Sequence, residues 1–373
     1  MNRIIVTIVF CIGWMVCCAQ TKPVAVGAEA TNEYFPLLKG KRIAVLSNHT
    51  GMVGNEHLVD LLKRKDFNVV CIFSPEHGFR GNADAGEHVS SSVDEKTGIP
   101  ILSLYDGDTG KPSVKSMSLF DVLVFDLQDV GLRFYTYYAT MVRMMDACAE
   151  SQKKMIILDR PNPNGHYVDG PILDMKYKSG VGWLPIPVVH GMTLGELAMM
   201  VNGEKWLPEG RICDISVIKC KNYTHQTMYQ LPIPPSPNLP TMKAVYMYPS
   251  TCYFEATPVS LGRGTDKPFL VYGHPNMLSY SFSFTPRSIP GAKNPPQLNK
   301  ICYGVDLSNL SDSDIWKKGV DLTYLIDAYT NLNMGDHFFR RFRYALRHPS
   351  PRCRPPRRAR RARAPDRGAR RRP

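Results

Sequence analysis

Apolar residues follow two different periods along this chain from residue 42 onward. Short runs rich in Val, Ile and Leu predict strands at Arg42–Ser47, Asn68–Phe73, Ile99–Tyr105, Asp121–Phe125 and Met155–Leu158. Between them, apolar positions recur every three or four residues and predict helices at His57–Lys65, at about Thr136–Gln152 and after Thr193. Nearly continuous apolar strands are typical of a parallel sheet that is covered by helices on both faces. The pattern therefore predicts a doubly wound α/β domain with a mostly parallel sheet.

The pattern changes after about residue 209. Short β-like runs and Pro-rich connections such as Leu231–Pro240 replace the regular alternation of strands and helices. We therefore predict an α/β domain over residues 31–208 and a smaller α+β domain over residues 209–339.

Residues 1–20 have the layout of a secretory signal peptide. Arg3 gives a basic start, and the apolar run Ile4–Val16 is too short to span a membrane. The sequence thus predicts an exported protein, periplasmic or associated with the cell envelope, with no transmembrane span after removal of the signal. An uncleaved N-terminal anchor and a lipid anchor at Cys17 or Cys18 are the alternatives.

The positive charge of the chain is confined to its end. The formal net charge is +13, but 15 of the 46 basic residues and one of the 33 acids lie in residues 340–373, so residues 1–339 carry 31 bases and 32 acids. A nearly neutral body argues against a nucleic-acid partner. The Arg/Pro-rich tail is either an arm for anionic polymers or an aberrant gene end, and we favour the second interpretation.

Several familiar chemistries lack their sequence motifs. No Walker A sequence and no GxGxxG follows the first predicted strand, and the chain contains no GxSxG, HExxH or CxxC motif. We therefore predict no nucleotide cofactor and no metal. The sequence does not indicate an oligomeric state.

Polar turns follow four of the predicted strands, at Asn48–His49, Ser74–Gly78, Asp126–Asp129 and Asp159–Asn164. Ligands of open α/β sheets bind at the carboxyl ends of the strands, so these turns predict one site. Glu76 is the first choice for a proton donor, because Pro75 fixes it directly after an apolar strand and partial burial would raise its pKa. Its structural alternative is a helix cap or an ion pair with Arg80.

The turn sequences, taken together, resemble those of the exo-β-N-acetylmuramidases. The matching motifs are Ser47–Gly51, Phe73–Gly81, Asp84–Glu87, Val124–Gly131, Leu158–Gly165, His190–Thr193 and Pro235–Thr241, within a resemblance from about Lys41 to Phe339. The resemblance implies a Rossmann-like domain joined to an auxiliary domain, with the site in the cleft between them. It also implies removal of N-acetylmuramic acid from the non-reducing ends of peptidoglycan fragments, with Glu76 as the family's glutamate.

The expected substrate is therefore a peptidoglycan-derived muramyl glycan. Glu76 is the expected general acid, assisted by Asp126, His77 or Glu87. The expected substrate-binding residues are Asn48, His49, Arg80, Arg133, Tyr135, Arg160, Asn162, Asn164, His190, Asn238 and Arg263. Among them, the four arginines are candidates for binding the lactyl carboxylate, with amides such as Asn48, Asn162 or Asn238 as the alternative.

Two questions stay open at this point. A second carboxylate or the sugar's own 2-acetamido oxygen could complete the reaction. A cell-envelope protein that binds muropeptides without cleaving them is the rival function, since a fold alone does not establish catalysis.

Overall fold

The structure is a computed structural model, and it describes residues 22–75, 79–80, 92–104 and 111–339. Its strands are β1 (Ile43–Ser47), β2 (Met52–Val53), β3 (Glu56–His57), β4 (Val69–Ser74), β5 (Ser92–Val93), β6 (Pro100–Ser103), β7 (Val122–Asp126), β8 (Lys154–Leu158), β9 (Ile215–Ile218), β10 (Val271–His274), β11 (Phe282–Phe284) and β12 (Cys302–Asp306). Its α-helices are α1 (Thr31–Leu38), α2 (Leu58–Arg64), α3 (Val114–Ser118), α4 (Tyr137–Glu150), α5 (Leu194–Gly203), α6 (Met242–Thr251), α7 (Asp312–Lys318) and α8 (Thr323–Leu332). Short 3₁₀ helices lie at Gly27–Glu29, Met175–Tyr177, Pro208–Gly210, Cys252–Ala256 and Gly335–His337.

Seven strands form the main sheet, in the order β5-β6-β4-β1-β7-β8-β9. All neighbouring pairs are parallel except β5 with β6. The predicted doubly wound α/β sheet is therefore confirmed. The bounds of the five strands that the sequence predicts agree with the structure to within one or two residues.

Successive strand residues enter two separate cores, one on each face of the sheet. Ile43 and Val45 of β1 pack with α1 and α2, whereas Ala44 and Leu46 pack with α4 and α5. This alternation is the period of two that a strand covered on both faces requires.

The smaller sheet has the order β10-β12-β11 and is antiparallel. It packs with α6, α7 and α8, and its apolar residues continue the core on the α4 and α5 face. The predicted smaller α+β region is thus present in the structure. The predicted boundary at residues 208 and 209 lies before β9, the edge strand of the main sheet. A division that keeps that sheet whole therefore falls after residue 218.

Helix α5 begins as the sequence predicts. The Glu196 amide donates to Thr193 Oγ1 at 3.2 Å, and Glu196 Oε2 accepts from the Thr193 amide at 2.9 Å. This capping box satisfies two donors that the first helical turn would leave unpaired. Because the helix start is fixed, the preceding turn at His190 is fixed as well.

The cysteines of the described segments, Cys71, Cys148, Cys213, Cys220, Cys252 and Cys302, are free thiols. In the same segments, no helix is long and apolar enough to cross a membrane. The predicted signal region and the Arg-rich tail lie outside the described residues.

Candidate functional site

Four parallel strands end at one edge of the main sheet, and buried polar groups follow them. β1, β4, β7 and β8 are neighbours, and their register brings Ser47 opposite Asp126. Asn48, Asp126, Asp129 and Arg160 lie in or directly after these strand ends and are buried. The expectation that several turns meet at one edge is met for these residues.

Asp126 and Arg160 form a buried ion pair. The Arg160 Nε donates to Asp126 Oδ1 at 2.5 Å, and Nη2 donates to Oδ2 at 3.0 Å. Nη2 also donates to the Met52 carbonyl at 3.0 Å. Both carboxylate oxygens of Asp126, and Nε and Nη2 of Arg160, are thus bound by protein groups. The pair links the end of β7 to the turn after β8, and the roles of Asp126 in catalysis and of Arg160 in substrate binding stay predictions.

Asn48 is also occupied by the fold. Its Nδ2 donates to the Tyr137 hydroxyl at 2.9 Å, and its Oδ1 accepts from the Thr50 hydroxyl at 2.6 Å. The backbone carbonyl of Asn48 contacts His57 Nε2 at 2.8 Å, while His57 Nδ1 caps helix α2. The side chain of Asn48 therefore joins β1 to α4, and its role in binding substrate stays a prediction.

Asn162 and Asn164 shape the turn after β8. Asn162 Nδ2 donates to the Met192 carbonyl at 2.9 Å, and Asn162 Oδ1 accepts from the Asn164 amide at 2.8 Å. Asn164 Nδ2 donates to the Val130 carbonyl at 2.9 Å, but Asn164 Oδ1 is buried without a partner among the described residues. Asn162 is a structural residue, whereas Asn164 keeps one free acceptor.

The three remaining candidate arginines also have protein partners. Arg80 binds Asp94 through two hydrogen bonds, at 3.0 and 2.8 Å, and contacts Asp60 at 3.2 Å. Arg263 pairs with Glu255 at 2.6 Å. For both, the planar carboxylate that the guanidinium binds belongs to the protein. The expectation that they hold a substrate carboxylate stays a prediction.

Arg133 is buried and binds backbone carbonyls instead of a carboxylate. Its Nη1 donates to the Pro171 carbonyl at 3.0 Å and to the Ile186 carbonyl at 2.6 Å, and its Nε is buried without a partner among the described residues. Burial lowers the pKa of this guanidinium. These bonds connect the 171–186 segment to the residues just before α4, and the role of Arg133 in binding substrate stays a prediction.

The Pro-rich loop at residues 234–238 closes over the edge of the sheet. The Tyr135 hydroxyl donates to the Pro235 carbonyl at 2.8 Å, and His49 Nε2 contacts the Pro234 carbonyl at 2.9 Å. Asn238 Nδ2 donates to the Gly291 carbonyl at 2.9 Å. Tyr135 and Asn238 are buried and support the loop, and their roles in binding substrate stay predictions. His49 is half-buried, and its Nδ1 has no partner within the described segments.

Asp129 and His190 differ from these satisfied groups. Asp129 Oδ1 accepts from the Gly131 amide at 2.7 Å, but Oδ2 is buried and unpartnered in the described part of the chain. His190 Nε2 is also unpartnered and lies 4.0 Å from Asp129 Oδ1. Burial raises the pKa of the Asp129 carboxyl to about 7 and lowers the pKa of the His190 imidazole to about 4. A carboxyl group that titrates near neutral pH is suited to acid–base chemistry.

Burial alone does not select Asp129, because Asp159 is buried at the same edge. Desolvation raises the Asp159 pKa to about 6. Asp159 accepts from the Thr193 hydroxyl at 2.7 Å, the Gly195 amide at 2.9 Å and the Arg160 amide at 3.1 Å. Its oxygens are satisfied, so Asp159 anchors the start of α5.

The expected acid and its neighbours lie outside the described residues. Glu76, His77 and Glu87 were predicted as catalytic residues, and their geometry is not described. Pro75 is the last described residue after β4, at the same strand edge as Asn48. The sequence pattern placed Asp129 in the polar turn after a predicted strand but did not select it as a catalytic residue. The unpaired Oδ2 atom, which distinguishes Asp129, depends on the tertiary structure. No group of three or more His, Cys, Asp or Glu side chains among the described residues could hold a metal ion.

Comparisons with known proteins identify the family. Residues 43–243 match the model of the N-terminal part of exo-β-N-acetylmuramidase NamZ, and residues 246–345 match the model of its C-terminal part. The chain is 42% identical over 293 residues to the peptidoglycan β-N-acetylmuramidase NamZ of Bacillus subtilis strain 168, covering 74% of this chain and 70% of that protein.

Two crystal structures from Bacteroides fragilis NCTC 9343, both of DUF1343 family proteins, are similar to the fold. One is 70% identical with a TM-score of 0.81 and covers 88% of this chain and 89% of that chain. The other is 30% identical with a TM-score of 0.70 and covers 83% and 82%, respectively. The resemblance seen in the turn sequences is confirmed, and the chain belongs to the exo-β-N-acetylmuramidase family.

Proposed function

We propose that this protein is an exo-acting glycoside hydrolase that releases N-acetylmuramic acid from the non-reducing ends of peptidoglycan fragments. The observation that carries the proposal is the match to both parts of the family, over residues 43–243 and 246–345. The B. subtilis relative bears the name of this activity. The strand edge supplies what glycoside hydrolysis needs, namely carboxyl groups held in a partly desolvated place.

The site of reaction is the carboxyl edge of the main sheet where the C-terminal region meets it. Tyr135, next to that edge, lies 6.3 Å from the Tyr248 ring of α6 and donates to the Pro235 carbonyl. Contacts from both parts of the chain thus converge beside Asp129. This arrangement supports a cleft between the two parts of the molecule as the place where the glycan end binds.

The decisive experiment is to incubate the purified protein with a muramyl disaccharide and measure free N-acetylmuramic acid. The expected result is release from a non-reducing muramyl end and no release when glucosamine occupies that end. Saturable binding of the muramyl disaccharide with no release would instead favour the rival, a glycan-binding envelope protein.

Glu76 is the proposed general acid. Protonation of the leaving oxygen matters most when the leaving group is poor, so Glu76→Gln should lower turnover at least about 100-fold on a disaccharide. The same variant should retain most turnover on a nitrophenyl glycoside, whose leaving group needs no proton. Equal losses on both substrates would contradict this role, and a parental circular dichroism spectrum excludes unfolding.

Export is part of the proposal, because peptidoglycan lies outside the cytoplasmic membrane. The support is the signal-like layout of residues 1–20. Cell fractionation and N-terminal sequencing of the mature protein test it. Full-length protein in the cytoplasmic fraction would contradict export, and a lipid-modified Cys17 or Cys18 would establish the anchored form.

A further inference from the structure

Three acids lie at the described part of the sheet edge, and only one of them has an oxygen without a partner. Asp126 is bound through both oxygens by Arg160, and Asp159 is bound by Thr193 and two backbone amides. Asp129 keeps Oδ2 free, although that atom is buried. Buried polar atoms are nearly always hydrogen-bonded in folded proteins, so an exception needs a reason.

The imidazole of His190 lies close to the carboxyl group of Asp129. The Met192 amide donates to His190 Nδ1 at 3.2 Å, so the neutral imidazole carries its proton on Nε2. The Nε2–H group has no acceptor among the described residues, and the nearest carboxylate oxygen, Asp129 Oδ1, is 4.0 Å away. That distance is too long for a hydrogen bond. A small movement of the carboxyl group toward the imidazole would form one.

The two side chains differ in depth. The His190 side chain is 0% exposed and the Asp129 side chain is 8% exposed, so Asp129 is the less deeply buried member of the pair. Asp129 contributes to the raised pKa of the Tyr135, Tyr138 and Tyr248 hydroxyls, although burial is the largest cause for each.

The charged groups around Asp129 and His190 affect the protonation of the two side chains. Within the described segments, no Lys or Arg side chain bonds to Asp129. Glu196 is the charged group that acts on His190. Burial raises the Asp129 pKa to about 7 and keeps His190 neutral, so a hydrogen-bond donor that enters would favour the carboxylate.

We propose that Asp129 binds a neutral N–H or O–H donor of the substrate through Oδ2, and that His190 is its positioning residue, donating to Oδ1 when the substrate is bound. This inference rests on the proposed function and adds a binding residue to that same site. On a muramyl residue the donor is either the N–H of the 2-acetamido group or a ring hydroxyl.

The test compares the parent protein and Asp129→Asn on matched nitrophenyl muramyl glycosides. Asn is isosteric with the protonated carboxyl group, so the fold should persist. On the 2-acetamido compound, kcat/KM should fall at least about 100-fold at pH 8, where the parent carboxyl group is ionised. A 2-acetoxy compound lacks the N–H, and a 4-deoxy compound lacks a ring hydroxyl. On the compound that lacks the bound donor, kcat/KM of the parent and of the variant should differ by less than about threefold.

His190 is tested by its effect on the pH profile. His190→Gln keeps an N–H donor and should stay within about fivefold of the parent, whereas His190→Leu removes the donor. The leucine variant should move the limb of kcat that reports Asp129 ionisation by about one pH unit to higher pH, because kcat reports the pKa of the substrate complex, in which His190 donates to Asp129. A purely structural role would lower activity evenly at all pH values and would not be rescued by glutamine.

Asp159→Asn is the matched control, because Asp159 is a buried acid of the same edge with satisfied oxygens. It should lower stability without changing the ratio between the three substrates. If Asp129→Asn lowers all three rates by the same factor, or none of them, Asp129 does not contact the donor and the inference is wrong. Inactivity of the folded parent on every muramyl compound would instead contradict the proposed function, and the inference with it.

Discussion

Asp126 and Asp129 are three residues apart at one sheet edge, yet their surroundings are opposite. Asp126 gives both oxygens to Arg160, and the buried charges cancel. Asp129 has one backbone donor on Oδ1, and its Oδ2 and the nearby His190 Nε2 stay unpaired in the described part of the protein. The comparison teaches that burial of an acid does not by itself indicate function; the informative feature is a buried acid whose bonding capacity the fold leaves incomplete.

The largest expected effect comes from removing one member of the buried ion pair between Asp126 and Arg160. Removal of one member of a buried ion pair leaves an uncompensated charge, so Arg160→Met should lower the free energy of unfolding by about 3–5 kcal/mol. Urea unfolding at pH 7 measures it. The double variant Arg160→Met with Asp126→Leu removes both charges and should recover most of the loss. A single variant that stays within about 1 kcal/mol of the parent would contradict a stabilising role for the pair.

The next effect is the pH dependence of stability caused by Asp129. Its folded pKa of about 7 lies above that of an unfolded Asp, so the folded state holds a proton that the unfolded state releases. Stability should therefore fall as pH rises from about 4 through 7, by roughly 2–4 kcal/mol in total. Asp129→Asn should remove the part of this decline that lies above about pH 6 in unfolding experiments, whereas the part below about pH 6 that Asp159 causes should remain. The same decline in parent and variant would assign it to another group.

His190 should make the free energy of unfolding depend on pH in the opposite direction. Its folded pKa of about 4 lies below the ordinary value, so the unfolded state takes up a proton first as the solution becomes acidic. Stability should fall as pH drops below about 6.5, by roughly 2–3 kcal/mol down to pH 4. His190→Gln should flatten that limb when the melting temperature is followed from pH 7 to pH 4. An unchanged acid limb would show that His190 does not set it.

The smallest effect is expected at Arg263, which offers its guanidinium to Glu255 near the surface. Such a pair contributes about 1 kcal/mol or less, so Arg263→Ala should barely change stability. Because the guanidinium is already paired, the ratio of rates on matched muramyl and glucosaminyl glycosides should change by less than about threefold. Loss of the muramyl preference alone would restore Arg263 as the group that binds the lactyl carboxylate.

The sequence predicted the sheet well because strand identity depends on local pattern. The run Arg42–Ser47 became β1 at Ile43–Ser47, and the capping box at Thr193 starts α5 as expected. The rule that polar turns meet at the carboxyl ends of parallel strands also placed Asn48, Asp126 and Arg160 together.

Partners of side chains were not predictable in the same way. Arg160 and Asp126 are 34 residues apart, and Arg80 meets Asp94 only when the chain has folded. Residue type gave each arginine the same expected role, whereas the tertiary contacts give each a different set of protein partners. Asp129 was passed over for the same reason, since a missing hydrogen bond has no sequence signal.

The core on the α4 and α5 face runs without interruption into the C-terminal region. Leu46 and Phe125 of the main sheet belong to the same apolar cluster as Tyr248, Tyr272 and Phe338. The boundary between the two family matches, at residues 243–246, therefore crosses one shared interior. Expressed alone, either half would expose its side of that interior to water, so we expect the two parts to fold as one unit.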